Sequence, residues 1–147
     1  MQKEQRDFIE NLRTIIQNWS KTPVGKSNRW LKYIMYTPGL AHLLVKLSAE
    51  PELTANQKSK LAAAIAYFIS PMDLIPETYW GALGYVDDIT LAALVLKDIL
   101  TQVEPQIVTR LWSGAVDLLS LIDEILSVAT EMVGPEYFLK LQALIKQ

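Results

Sequence analysis

The longest uncharged stretch of the sequence lies between Lys60 and Asp73, and it limits what the chain can fold into. Its first part, Leu61 to Ile69, is apolar on every side of a helix, which is typical of a helix inside a core or against lipid. The stretch holds about a dozen residues, whereas a membrane-spanning helix needs roughly 18 to 20. Because this helix also has a polar start, the sequence predicts that it lies in the core of a helical domain.

Apolar residues recur at three- and four-residue spacing in the first third of the chain, as on one face of a helix. The spacing predicts an amphipathic helix over 3–20, a loop over 21–27 and a short helix over 30–36. Thr37-Pro38 is typical of an N-cap followed by proline at the first helical position. Thr54-Ala55-Asn56-Gln57 has the spacing of a capping box that opens the next helix.

The last third of the sequence predicts a long helix and a short one, together covering 105–146. The long helix follows Glu104-Pro105 and runs to about Met132, with its polar residues on one narrow stripe and a broad apolar remainder that lies in the core or in an interface. Gly134-Pro135 ends it and opens the final helix. No stretch alternates with the period of two expected of a half-buried strand. The fold prediction is therefore a single all-α domain over 1–147, a bundle of about six to eight helices around a buried turn rich in proline and aspartate.

Composition excludes several classes of function. Half of the residues are hydrophobic and the formal net charge is −2, so the broad positive field that dominates nonspecific nucleic-acid binding is missing. The sequence has no cysteine and a single histidine, which excludes thiol chemistry and any site that needs two histidines. His42 shares a face with Lys46 and is predicted to be exposed. The polar N-terminus lacks the features of a secretory signal, which favours a cytoplasmic protein.

The most informative segment combines prolines, glycines and carboxylates between two apolar helices. It begins Ser70-Pro71-Met72-Asp73-Leu74-Ile75-Pro76-Glu77 and continues through Gly84 to Asp87-Asp88. One interpretation is turn chemistry, in which Ser70 is an N-cap, Pro71 opens a helix, and Asp73 reaches back to the Ser70 N–H. Pro76 and Glu77 then repeat the start, Gly84 allows a turn, and Asp87 or Asp88 caps the following helix.

The other interpretation is a site for a hard cation. On a helix that starts near Tyr85, Asp88 shares a face with Ala92, Val95 and Ile99 and should point inward, where an unpaired carboxylate is costly. A backbone N–H, an Arg or Lys side chain, a bound proton, or Mg²⁺ or Ca²⁺ shared with Asp73 and Asp87 would satisfy it. The cofactor prediction is none, with Mg²⁺ or Ca²⁺ as the alternative.

On this segment the chain resembles the YkvA-like family of bacterial domains of unknown function. The family signature is approximately S-P-x-D-L-I-P-[D/E] followed by G-x-x-D-D, and each named position is present here between Ser70 and Asp88. The resemblance places a YkvA-like core at about 30–103. It implies an all-helical domain, bacterial occurrence and membrane association in some members, and it implies no activity.

Two functions remain open at this point. The leading hypothesis is a non-enzymatic module without catalytic residues, which binds a protein partner, itself or a membrane surface and lies in the cytoplasm or at the periphery of the inner membrane. Its surfaces are the apolar face of the 105–132 helix, including Trp112, and the aromatic pair Tyr79-Trp80 in the loop after Pro76. The rival is a metal-dependent hydrolase in which Asp73, Asp87 and Asp88 hold the ion and Glu77 acts as a base.

Overall fold

The described part of the chain is all-helical, as the sequence predicts. The computed structural model describes residues 3–74 and 77–146, and the side chains of residues 3–69 and 85–146. Within these residues it has no strand. Six helices have eleven residues or more, namely α1 (Lys3–Ser20), α4 (Thr37–Ser48), α5 (Ala55–Leu74), α6 (Glu77–Leu100), α8 (Leu118–Val133) and α9 (Pro135–Ile145). Three short helices connect them, namely α2 (Pro23–Ser27), α3 (Leu31–Ile34) and α7 (Pro105–Thr109).

Helix α6 lies at the centre of the bundle. It packs against α8, α5, α4 and α9, and Ala92, Leu96 and Ile99 on it are fully buried. One hydrophobic cluster takes in residues from Ile9 on α1 to Ile145 on α9, so the helices share a single core. Among the described helices, none is both long enough and apolar enough to cross a membrane.

Helix α5 is buried on one face only, which corrects the prediction of a helix surrounded by core. Leu61, Ala64 and Phe68 point into the core, whereas Ala62, Ala63 and Ala66 are exposed. Alanine favours the helix strongly, and its single methyl group adds little apolar area to the surface. The stretch from Leu61 to Ile69 is therefore uncharged although only one of its faces is buried.

The predicted capping box at the start of α5 is confirmed. The Thr54 N–H donates to Oε1 of Gln57 at 2.8 Å, and the Gln57 N–H donates to Oγ1 of Thr54 at 3.1 Å. Nε2 of Gln57 also donates to Oε1 of Gln102 at 2.7 Å. The same side chain thus satisfies a helix terminus and joins the beginning of α5 to the end of α6.

The other predicted boundaries in the first third of the chain either match the structure or differ from it by a few residues. Helix α1 has the predicted bounds and buries Ile9, Leu12, Ile15 and Ile16. The predicted loop over 21–27 contains α2, because the Thr22 side chain accepts a hydrogen bond from the Gly25 N–H and Pro23 opens a short helix. Thr37 is already helical in α4, and its hydroxyl donates to the Ile34 carbonyl at 2.6 Å instead of capping.

The predicted continuous helix over 105–132 is wrong, because the chain leaves the helix between α7 and α8. Gly114 allows its backbone to approach the Trp112 ring so closely that a Cβ there would lie 2.2 Å from a ring carbon. The Trp112 indole N–H donates to the Val116 carbonyl at 2.8 Å. Asp117 then caps α8 by accepting the Ser120 N–H at 3.0 Å. One polar residue that the sequence placed on the stripe of a long helix, Asp117, is thus the N-cap of α8.

The apolar face of α8 is buried inside the chain, which corrects its predicted role as an interaction surface. Helix α8 packs against α6 and α9, and its buried residues are Leu118, Leu121, Ile122, Ile125, Ala129 and Met132. This face completes the core.

Replacement of Asp117 by alanine tests the break in this helix. We expect Asp117→Ala to lower the free energy of unfolding by about 1 kcal/mol, because alanine cannot accept the Ser120 N–H. Urea denaturation measures the change, and Ser127→Ala on the exposed side of α8 is the control. In a continuous helix alanine would be neutral or stabilising, so a gain in stability would contradict the structure.

Candidate functional site

Most of the Pro-Asp-rich segment lies inside two helices, with residues 70–74 in α5 and residues 77–88 in α6. Helix α5 extends through Ser70 and Pro71 to Leu74, so the predicted helix start at Ser70 is wrong. Pro71 lacks the N–H that would bond the carbonyl four residues earlier, which costs about 3 kcal/mol or more inside a helix. Packing of α5 against α4 and α6 favours the longer helix in spite of this cost. Asp73 falls in the last turn of α5.

The second half of the segment is also helical. Glu77 begins α6, so Tyr79 and Trp80 lie in its first turn instead of in a loop. Gly84 lies inside α6, where glycine costs about 1 kcal/mol relative to alanine, and the predicted turn there is wrong. The side chains at 70–84 lie outside the described residues, as does Pro76 altogether. The predicted contacts of Ser70, Asp73, Glu77, Tyr79 and Trp80 therefore stay predictions.

Asp87 and Asp88 lie in the middle of α6, and the prediction that they cap a helix is wrong. The inward direction predicted for Asp88 is correct: its exposed fraction is 1%, and Ala92, Val95 and Ile99 are buried with it. In the described part of the structure, Oδ2 of Asp88 has no hydrogen-bond partner. Burial, and secondarily the neighbouring Asp87, raises the pKa of Asp88 to about 9.

Tyr137 lies near this acidic pair, and Tyr67 lies near Tyr137. Tyr67 on α5 and Tyr137 on α9 are both half-buried. Burial raises the pKa of the Tyr137 hydroxyl, and so do the nearby Asp87, Tyr67 and Asp88. Burial also raises the pKa of Asp87, to about 6. The Tyr137 hydroxyl thus lies close enough to both carboxyl groups and to the Tyr67 hydroxyl for all three to act on its pKa.

The structure favours a bound proton among the ways of satisfying Asp88. A mid-helix position leaves the surrounding amides in the bonds of the helix itself, and within residues 3–69 and 85–146 no Arg or Lys pairs with Asp88. A carboxyl with a pKa near 9 is neutral at pH 7. No group of three His, Cys, Asp or Glu side chains suited to a metal occurs among the residues whose side chains are described. The Asp73 side chain lies outside them.

A second feature, missed by the sequence analysis, is a groove around Trp112. Its lining comes from α1, from α3 to α4 and from the connection that precedes α8, and comprises Arg13, Ile16, Gln17, Met35, Tyr36, Pro38, Gly39, His42, Trp112, Ser113 and Gly114. We call this the Trp112 groove, and its cavity has a volume of about 210 Å³. The signal in the sequence was Trp112-Ser113-Gly114, a glycine inside a helical pattern.

Glycines fix the ring that gives the groove its name. Trp112 packs against Gly39 of α4, where a Cβ would lie 3.4 Å from two ring carbons, and against Gly114. With its N–H bonded to Val116, the ring has one defined orientation. Trp112 was predicted to lie in an interaction surface, and it is half-buried with one part facing this groove.

His42 and Arg13 bring charge to the groove. His42 was predicted to be exposed but is half-buried, because α1 packs against α4. Burial lowers the pKa of His42, with smaller contributions from Lys46 and Arg13. The closest ion-pair contact of Arg13 in the described residues is Glu10, with Nε and Oε1 4.0 Å apart.

Comparison with known proteins finds a similarity in the region of the acidic pair. Residues 57–94 match the model of a family described as "Protein of unknown function (DUF1232)". The chain is also similar to "Uncharacterized protein ORF9" of Methanothermobacter thermautotrophicus, with 29% identity over 99 residues, which cover 67% of this chain and 68% of that protein. No solved structure matches. The YkvA-like name, its signature and bacterial occurrence stay predictions. Residues 57–94, which include Asp87 and Asp88, are therefore similar to the DUF1232 family.

Proposed function

We propose that the protein is a non-enzymatic helical module that binds a partner protein through the Trp112 groove. The observation that carries the proposal is the convergence of three separate parts of the chain on one cavity of about 210 Å³. This volume suits a single large side chain, whereas sites for small-molecule ligands usually occupy about 300 to 1,000 Å³. An anchor side chain of a partner fits the groove better than a cofactor.

The residue types at the groove support recognition of a protein. Trp, Tyr and Arg are the side chains that most often dominate protein–protein binding energy, and Met is also enriched at interfaces. Here Trp112, Tyr36, Arg13 and Met35 line one cavity, and Met35 is 41% exposed at its edge. The Trp112 ring is already fixed by its glycine contacts, so binding does not have to order it.

The same lining supports binding over catalysis. None of the described residues that line the Trp112 groove is acidic, so the lining itself offers no carboxylate to pair with His42. Acid–base and nucleophilic catalysis depend on such paired groups. His42 is also the single histidine of the chain.

A photo-crosslinking experiment tests the proposal. With a benzophenone amino acid at position 35, we expect a crosslink to one protein in cells of the source organism. Ser113→Trp should remove most of this crosslink, because Ser113 lines the groove and is exposed, so a large ring there fills the cavity.

Two controls make this experiment specific. Ser127→Trp places the same ring at an exposed serine of α8 outside the groove and should leave the crosslink intact. The probe at Leu139, which is 64% exposed on α9, should not give the same product. No crosslink, or one that persists in Ser113→Trp, would refute the proposal. Light scattering and vesicle flotation would reveal a second copy or a membrane as the occupant instead.

A second candidate is the metal-dependent hydrolase that uses Asp73, Asp87 and Asp88. The unpartnered Oδ2 of buried Asp88 favours it, since a hard cation accepts carboxylate oxygens as ligands. Calorimetric titration with Mg²⁺, Mn²⁺ and Ca²⁺ tests this candidate. Binding that Asp88→Asn abolishes would support it, and no binding at millimolar concentration would reject it.

A further inference from the structure

The charges around the Trp112 groove are unusual for this chain. The protein as a whole carries a formal net charge of −2, yet Arg13 and Lys46 both act on His42 at the groove and lower its pKa. Glu10 is the acidic side chain that acts there in the opposite direction. Two cations and one carboxylate thus act on His42, in a protein that is acidic overall.

The Arg13 guanidinium is available to a ligand. Its side chain is 44% exposed, and its contact with Glu10 at 4.0 Å is at the outer limit for an ion pair. The Glu10 side chain is itself 74% exposed, so the pair is weak. A planar guanidinium in this state can form two parallel hydrogen bonds with an incoming carboxylate.

His42 adds a second donor on the opposite helix. With its pKa lowered, chiefly by burial, its ring is neutral at pH 7 and keeps one N–H to donate. Lys46 lies one helical turn further along α4, and in the described residues no carboxylate pairs with it. A cationic donor of α1, Arg13, and a neutral donor of α4, His42, thus line one cavity, whose wall also includes Trp112, Tyr36 and Met35.

Building on the proposed function, we infer that the Trp112 groove takes an acidic side chain of the partner protein, with an apolar neighbour of that side chain against Met35. The carboxylate meets Arg13 and His42, and its charge lies in the positive field of Arg13 and Lys46. The groove then recognises a short segment of the partner that has an acidic side chain next to an apolar one. An uncharged amide of the same shape loses the charge-assisted bonds.

Two pooled libraries of amidated heptapeptides test the inference. One has glutamate fixed at the central position and the other has glutamine, with the remaining positions identical in composition. We expect the glutamate pool to compete with the crosslink from position 35 and the glutamine pool to be at least tenfold weaker. The glutamate pool should also raise the pKa of His42, measured by NMR of the ring protons, because a bound carboxylate stabilises the imidazolium.

Matched arginine variants assign the effect to the groove. Arg13→Gln should weaken competition by the glutamate pool about tenfold, and should remove its preference over the glutamine pool. Arg29→Gln changes another exposed arginine, which pairs with Glu131 away from the groove, and should have no effect.

The outcomes separate the inference from the proposed function. Equal competition by both pools, or by neither, while the crosslink still depends on the groove would overturn the acidic anchor and leave the partner-binding function standing. Loss of the groove-dependent crosslink itself would overturn the function. An unchanged His42 titration in the presence of a competing glutamate pool would also contradict the inference.

Discussion

Asp88→Asn should stabilise the protein at neutral and alkaline pH and should leave its stability unchanged at pH 4. The folded state raises the pKa of Asp88 from 3.8 to about 9, so between these values the folded protein binds a proton that the unfolded chain has released. Stability from this group is therefore fully present below pH 4 and is lost as the pH rises towards 9. At pH 7 the loss amounts to about 4 kcal/mol, at about 1.4 kcal/mol for each unit of pKa.

Asparagine has the same shape and no proton to lose, so the variant should gain most of this free energy at pH 7. Urea denaturation from pH 4 to pH 9 measures it, and the wild-type curve should fall with pH more steeply than the variant curve. Asp87→Asn is the comparison. Because burial raises the pKa of Asp87 only to about 6, its effect should develop between pH 4 and 6 and then level off.

The same measurements distinguish a proton from a cation at Asp88. A carboxylate held by a metal is charged, so stability would rise with pH and with added Mg²⁺ or Mn²⁺. Wild-type stability that increases with the metal, and an Asp88→Asn variant that is less stable and indifferent to it, would contradict the protonated carboxyl. That result would favour the hydrolase candidate.

Phe68→Ala should have the second large effect, a loss of about 3 to 5 kcal/mol in the free energy of unfolding. Phe68 is fully buried on α5, with an exposed fraction of 0%, and α5 packs against α4 and α6. Removal of the ring takes away its burial and leaves a cavity that tightly packed neighbours fill only in part. Urea denaturation at pH 7 gives the value.

Leu139→Ala is the matched control for this loss, because Leu139 is exposed on α9. We expect it to change stability by no more than about 0.5 kcal/mol. A loss below about 1 kcal/mol for Phe68→Ala would mean that the ring is not packed as the structure has it. The packing of α5 in this part of the core would then need another arrangement.

Local sequence was enough to predict several elements. The period of α1, the reciprocal bonds of Thr54 and Gln57, and the stop at Gly134, whose φ is 89°, depend on residues within a few positions of one another. The inward direction of Asp88 followed from helical spacing alone. These features involve no distant partner, so the sequence contained the information that specifies them.

The Pro-Asp-rich segment shows where local reasoning failed. Ser70-Pro71 and Gly84 are typical of caps and turns, but the helices continue through them. Capping and glycine preferences are worth about 1 kcal/mol each. Packing of α5 against α4 and α6, and of α6 against six helices of the described chain, outweighs preferences of this size.

By itself the sequence determined an all-helical domain, the bounds of α1, the capping box of α5 and the burial of Asp88, because each depends on periodicity or on neighbours in the chain. Only the tertiary structure decided that the chain breaks at Trp112, since the ring rests on Gly39 from another helix. It also brought Arg13 and His42 together at one groove and buried the apolar face of α8. Contacts between distant residues cost chain entropy and are formed only when many form together, so no local pattern records them.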